Sequence, residues 1–209
     1  MKKRNCEVNE ESIWDLGERT VLVVAEPGMG KSSTTTQVAW YTKLADPTSW
    51  VVHITWNDHS RKLQEINAAT FNFDSLVAFL CSAALPKTKY TTINSSLLKQ
   101  ALQNSGNVTV LMDGFDEISS THEDKAAVII SELMKTTVRR VWVTSRPVQK
   151  ETLERKLSVN AFSIKRPSRA SQKQMLCSLW KYKADEKEYE FYNFLQRVNR
   201  SLHDANFTL

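Results

Sequence analysis

Val21-Leu22-Val23-Val24-Ala25-Glu26-Pro27-Gly28-Met29-Gly30-Lys31-Ser32-Ser33 carries four apolar β-formers straight into a glycine-bearing loop that ends in Gly-Lys-Ser. This is the layout of a phosphate-binding loop: buried strand, tight turn, helix N-terminus. Successive backbone N–H groups in such a turn form an anion nest, and the helix dipole adds positive potential. Lys31 is expected to reach the β- and γ-phosphates and the Ser32 hydroxyl to sit on Mg2+. Pro27, Gly28, Met29, Gly30, Lys31, Ser32 and Ser33 are therefore the candidate nucleotide contacts. Ala25 stands where G-x-x-x-x-G-K-[ST] has its first glycine. Alanine disfavours positive φ, so a slightly different start to the loop is expected.

On the N-terminal side, residues 1–19 are polar and charged, with Trp14 and Leu16 as anchors. On the C-terminal side a helix is predicted over about 31–44, with Val38, Tyr41 and Ala45 on one face. Its Ser-Ser-Thr-Thr-Thr start is a poor helix former, so it relies on tertiary contacts or bound phosphate. A second strand covers 50–56. His53 within it reads as structural, because no His or Cys lies at metal-ligand spacing. A weak helix follows near 63–69, then a clearer one over 74–85, capped by Asp74 or Ser75, with Leu76, Phe79, Leu80 and Ala83 inward. Another helix covers 94–103, with Leu97, Leu98, Ala101 and Leu102 inward.

Val108-Thr109-Val110-Leu111-Met112 is a third strand, ending in Asp113-Gly114-Phe115-Asp116-Glu117. With a phosphate loop upstream, a strand ending in Asp reads as a Walker B element whose carboxylate holds Mg2+ opposite Ser32. Asp-Gly alone could be a hairpin turn, but a helix with Ala127, Ile130, Leu133 and Met134 inward follows instead. A fourth strand, 141–144, runs into Ser145-Arg146-Pro147. An arginine at the carboxyl edge of a parallel strand lies where such sheets bind ligands, and could sense the γ-phosphate. A helix over 149–157, a fifth strand over 161–164 and two helices over 171–180 and 186–201 complete the chain.

Three cysteines, Cys6, Cys81 and Cys177, are odd in number and widely spaced. That argues against a disulfide framework or zinc site and for a reducing, intracellular setting. No apolar run reaches membrane-spanning length, and Met1-Lys2-Lys3-Arg4 leads into acids rather than a signal-peptide core. The net charge is +5, yet residues 139–183 hold twelve lysines and arginines against two acids, which leaves −5 for the rest. Such a stretch suits nucleic acid, anionic lipid or an acidic partner, or is simply solvated surface partly facing nucleotide phosphates.

The motifs Ala25-Glu26-Pro27-Gly28-Met29-Gly30-Lys31-Ser32, Val110-Leu111-Met112-Asp113-Gly114-Phe115-Asp116-Glu117 and Val143-Thr144-Ser145-Arg146-Pro147 resemble those of the NACHT family of P-loop NTPases. That family lies within the STAND group related to AAA+ proteins. The small Gly114 after the Walker B Asp, with acids delayed to Asp116 and Glu117, is the most specific part of the likeness. Phe162-Ser163-Ile164-Lys165-Arg166-Pro167-Ser168, then Gln172 and Leu176, resembles the passage into the family's small helical domain.

The resemblance implies a three-layer α/β domain with a five-stranded parallel sheet of order 5-1-4-3-2. It implies a lead-in over 1–17, a nucleotide-binding domain over 18–166 and a partial helical domain over 167–209. Family members continue into a winged-helix region that supplies a phosphate-contacting histidine, so the chain is expected to be truncated before it. The implied roles are Lys31 on the phosphates, Ser32 and Asp113 on Mg2+, Asp116 or Glu117 orienting the attacking water, and Arg146 as sensor 1. ATP with Mg2+ is the expected ligand, with GTP left open, although no Asn-Lys-x-Asp guanine motif follows the Walker B strand. The implied function is a cytoplasmic signal-transduction switch, of the kind found in innate immunity. It would hydrolyse ATP slowly and self-associate or meet other signalling proteins through flanking domains, away from membranes. The alternatives are a scaffold that does not hydrolyse nucleotide and, ranked last, a nucleic-acid-dependent ATPase using the basic stretch.

Overall fold

The computed structural model describes residues 16–84 and 91–165. Residues 16–164 belong to one compact unit that ends at Ile164. The described strands are β1 (Thr20–Val24), β2 (Trp50–Thr55), β3 (Val108–Asp113), β4 (Arg140–Ser145) and β5 (Ala161–Ser163). The helices are α1 (Lys31–Ala45), α2 (Ser60–Glu65), α3 (Phe73–Ala84), α4 (Thr91–Gln100), α5 (Glu123–Met134) and α6 (Lys150–Leu157). The strands form one parallel sheet ordered β2-β3-β4-β1-β5, the expected order read from its other edge.

β1 and β3 are buried along their whole length. A parallel sheet is covered on both faces, so its strands become continuous apolar runs rather than alternating ones. Side chains nonetheless sort by period two. Leu22, Val24, Val110, Met112, Val141 and Val143 face the larger core, with Leu76, Leu80, Ile129, Ile130 and Leu153 from α3, α5 and α6. Val21, Val23, Leu111 and Trp142 face the opposite way, toward Val38 of α1. The result is three layers. Each fully buried Leu or Ile of this core contributes about 1.5–3 kcal/mol relative to leaving it in water.

In the Ser/Thr-rich α1 the hydroxyls turn back on the helix. Thr34 Oγ1 donates to Gly30 O at 2.9 Å, Thr36 Oγ1 to Ser32 O at 2.9 Å and Thr42 Oγ1 to Val38 O at 2.7 Å. Those bonds satisfy the polar groups locally without improving helix propensity. At its far end Asp46 accepts from Thr48 and from Asn107 Nδ2 (3.0 Å), tying the α1–β2 turn to β3. These bonds hold the Asp46 carboxyl below its ordinary pKa, the Thr48 side chain contributing most.

Several boundaries and faces differ from expectation. α3 is capped by Asn72, whose Oδ1 accepts from Ser75 N–H at 3.0 Å, not by Asp74 or Ser75. Ala45 is exposed and Thr35 is buried, so the inner face of α1 is set by Thr35 and Val38. Leu97 faces outward at 47% exposure, while Leu98, Ala101 and Leu102 are buried. In α5 the inward alanine is Ala126 rather than Ala127. The helix expected at 63–69 is α2 and ends at Glu65, and Trp56 leaves the strand for a 3₁₀ turn, Trp56–His59. Leu16 packs on the α1 face as an anchor. Trp14, the helices expected over 171–180 and 186–201, and the helical domain over 167–209 lie outside the described residues.

Candidate functional site

The carboxyl edge of the sheet collects the candidate residues. β1 continues smoothly into the loop, with Ala25 N–H donating to Ser145 O at 3.2 Å. Ala25 is buried and is not among the residues of positive φ, so this position makes no demand that only glycine meets. Met29 N–H closes the turn on Glu26 O at 3.3 Å. Gly30 then caps α1 at φ 88°, ψ 20°, the left-handed region that a side chain would strain.

Gly30 gives α1 no side-chain cap and the first turn holds no acid, as in α2 and α4, whereas α3, α5 and α6 carry acids there. Its first N–H groups are thus left for an outside acceptor. Lys31 Nζ lies back across the loop, donating to Ala25 O at 3.0 Å and Glu26 O at 3.4 Å. Ser32 and Ser33 are exposed at the start of the helix.

Asp113 ends β3 on the same sheet face as Leu111, the face that α1 covers, and is 5% exposed. Thr144 of β4 holds it: Thr144 Oγ1 donates to Asp113 Oδ1 at 2.5 Å and accepts from Gly114 N–H at 2.9 Å. One buried hydroxyl therefore fixes both the Walker B carboxylate and the peptide after it. Thr144→Val keeps the shape and strands both partners. It is expected to lower unfolding free energy by about 1–3 kcal/mol, against about 1 kcal/mol for Thr144→Ser, which keeps the hydroxyl and loses a methyl. Urea denaturation of the two variants checks this, and equal losses would contradict it.

Gly114 sits at φ 77° and opens a 3₁₀ turn, Phe115–Glu117, closed by Glu117 N–H to Gly114 O at 2.9 Å. Phe115 anchors the turn, 1% exposed and edge-on to Trp56 with ring centroids 6.3 Å apart. Asp116 Oδ2 lies 2.7 Å from Arg146 Nε, an ion pair across the ends of β3 and β4. Glu117 is exposed.

The structure thus joins Asp113 to Thr144, Asp116 to Arg146, and Lys31 to its own loop. No hydrogen bond joins Ser32 to Asp113 among the described residues, although both lie on the α1 side. Thr144 was missed in the sequence, where a threonine in an apolar strand reads only as a β-former. His53 stays in β2 away from any cluster of metal ligands among the described residues, with its Nε2 buried and without a hydrogen-bond partner among them. Of the basic stretch, residues 166–183 lie outside the described residues. Within 139–165, Lys156 pairs with Asp124 at 2.9 Å and Lys150 with Glu154 at 4.0 Å, which ties part of that charge to neighbouring acids.

Mg2+ takes oxygen ligands, usually one or two carboxylates plus substrate phosphates and water. Asp113, with one oxygen held by Thr144, and the exposed hydroxyl of Ser32 are a donor set of that kind. Among the described residues no cluster of three or more His, Cys, Asp or Glu forms a metal cage. Likewise, no described helix is long and apolar enough to cross a membrane.

A family model of the NACHT domain matches residues 19–183. No curated protein matches the sequence. Among solved structures, domain III of the replication initiation protein DnaA from Thermotoga maritima is similar at a TM-score of 0.54 and 16% identity, over 88% of this chain and 71% of that one. PCH-2 from C. elegans is similar at a TM-score of 0.49 and 17% identity, over 81% of this chain. The chain spans 42% of the length of PCH-2. At these identities the DnaA likeness bears on the fold alone.

Proposed function

The chain belongs to the NACHT domain family and carries a nucleotide-binding P-loop NTPase fold, and from that premise we propose that it is an ATP- and Mg2+-binding switch. In this reading it hydrolyses ATP slowly and couples nucleotide state to conformational change and self-association within a cytoplasmic signalling protein. The observation that carries it is the uncapped, acid-free start of α1 beside a lysine and a buried Walker B carboxylate at one sheet edge. An acceptor for those N–H groups that also attracts Lys31 is an anion, and the strand–loop–helix frame suits a polyphosphate.

The loop N–H groups from Gly28 to Ser33 would cradle the phosphates, and Lys31 would leave the loop carbonyls to pair with them. Ser32 and Asp113 would hold Mg2+, which supplies charge neutralisation at the phosphate oxygens. Thr144 keeps the Asp113 carboxylate in one orientation, and Arg146 would meet charge at the terminal phosphate. ATP is preferred because no guanine-reading Asn-Lys-x-Asp follows β3.

The test is the melting temperature and phosphate release of the full chain with Mg-ATP, Mg-ADP and Mg-GTP. Ligand at 100 times Kd is expected to add about 2.7 kcal/mol of stability. ATP turnover is expected below about 1 per second, under the usual range for enzymes. No shift with any nucleotide would favour the scaffold reading instead. Binding to nucleic acid that falls steeply with salt would favour the basic stretch as the working surface.

A further inference from the structure

The two acids of the Phe115–Glu117 turn have different surroundings. The Asp116 side chain is 4% exposed, and its Oδ2 stands 2.7 Å from Arg146 Nε. Neither of its oxygens makes an aligned hydrogen bond among the described residues, so charge attraction holds the pair. The Arg146 side chain is 48% exposed and is held through Nε, which leaves the two terminal nitrogens of its guanidinium outside that contact. Glu117 is exposed, but its carboxyl folds back toward the residue after Asp113. A Cβ placed on Gly114 would lie 3.1 Å from Glu117 Cδ and from Oε2. The missing side chain at Gly114 is the seat of the Glu117 carboxylate.

Resting on the ATP-hydrolysing reading above, we propose that the two acids have separate roles: Glu117 orients the attacking water, and Asp116 is a positioning residue that holds Arg146 at the sheet edge. A carboxylate that handles water needs free lone pairs and access to solvent. Glu117 has that access, whereas Asp116 is buried and faces a guanidinium. Conversely, an exposed arginine at a strand end loses side-chain entropy when it meets a phosphate, and a buried carboxylate on Nε removes part of that freedom beforehand. In the chemical step the water oxygen forms its bond to the γ-phosphorus as the bond from that phosphorus to the bridging oxygen breaks. The electron pair leaves with ADP, and the proton of the water passes to Glu117. Arg146 faces the phosphoryl oxygens throughout.

The experiment is single-turnover hydrolysis together with Kd for Mg-ATP and Mg-ADP, on the full chain and on Glu117→Gln, Asp116→Asn, Arg146→Ala and the Asp116→Asn/Arg146→Ala pair. Glu117→Gln is expected to keep both affinities within about threefold and to lose hydrolysis by about a hundredfold or more. Asp116→Asn is expected to reduce the preference for ATP over ADP, as Arg146→Ala does. The double variant should be no worse than Arg146→Ala alone, since two groups acting through one contact are not additive. A purely structural role for Asp116 would lower stability without moving the ATP-to-ADP ratio. Arg146→Lys, which keeps the charge and loses the Nε contact, should resemble Asp116→Asn. Glu117→Gln at wild-type rate, an unchanged ratio in Asp116→Asn, or a wild type that binds Mg-ATP without hydrolysing it would overturn the assignment and leave the binding function standing. A wild type that does not bind Mg-ATP would overturn the function itself.

Discussion

Replacing Lys31 by alanine is expected to weaken Mg-ATP binding by roughly tenfold to a hundredfold while leaving the fold intact. Hydrogen bonds to charged groups contribute about 1.5–3 kcal/mol, and each 1.4 kcal/mol is a factor of about ten in affinity. Among the described residues the Lys31 ammonium bonds to two loop carbonyls, at 3.0 and 3.4 Å, and packs into neither core cluster. Water can replace the ammonium at those carbonyls, so its loss should move unfolding free energy by no more than about 1.5 kcal/mol, the net value of one ordinary hydrogen bond. The pairing of a large binding effect with a small stability effect is the informative outcome. Titration calorimetry with Mg-ATP and urea denaturation of the same two proteins measure it. Equal affinity in both would mean that the lysine does not face the phosphates.

Phe115→Ala is expected to give the opposite signature. Phe115 is 1% exposed, lies in the larger core and meets Trp56 edge-on, yet it belongs to the turn that carries Asp116 and Glu117. Truncating a buried phenylalanine costs about 3–5 kcal/mol, a large share of the 5–15 kcal/mol that typically holds a domain together. Because the ring is the anchor of the turn, its removal also frees both acids from their present positions. Urea denaturation should show the loss, with Phe115→Leu intermediate because it refills much of the cavity. A loss below about 1 kcal/mol would mean that the core relaxes around the site and that the turn is not held by its phenylalanine.

The parts legible in the sequence are those where one local pattern leaves no competitor. Val21-Leu22-Val23-Val24 before Gly28 and Gly30, and an apolar run ending at Asp113, placed β1, α1 and β3 nearly to the residue. The strand order followed from the resemblance, not from periodicity, and the sheet has that order. Other features were hidden because their signals are short or non-local. Asn72, Asp74 and Ser75 all have N-cap chemistry within four positions, and the choice of Asn72 depends on where the chain enters α3. In α1 the threonine-rich start carries almost no apolar stripe, so Thr35 inside and Ala45 outside are set by the sheet it covers. Thr144 and Asp113 are 31 residues apart, and only the β3–β4 pairing makes the threonine part of the site. The Asp116–Arg146 pair needs the same pairing, so the different environments of Asp116 and Glu117 could not be read from their adjacent positions in the chain.

The central claim is that this sheet edge is a Mg-nucleotide site. Its most direct test is equilibrium titration of the wild-type chain with ATP, once with Mg2+ and once with a chelator. The account predicts saturable one-site binding tighter than about 1 mM, weakened when the cation that Asp113 and Ser32 would hold is removed. No saturable binding at millimolar ATP with Mg2+ present would contradict it.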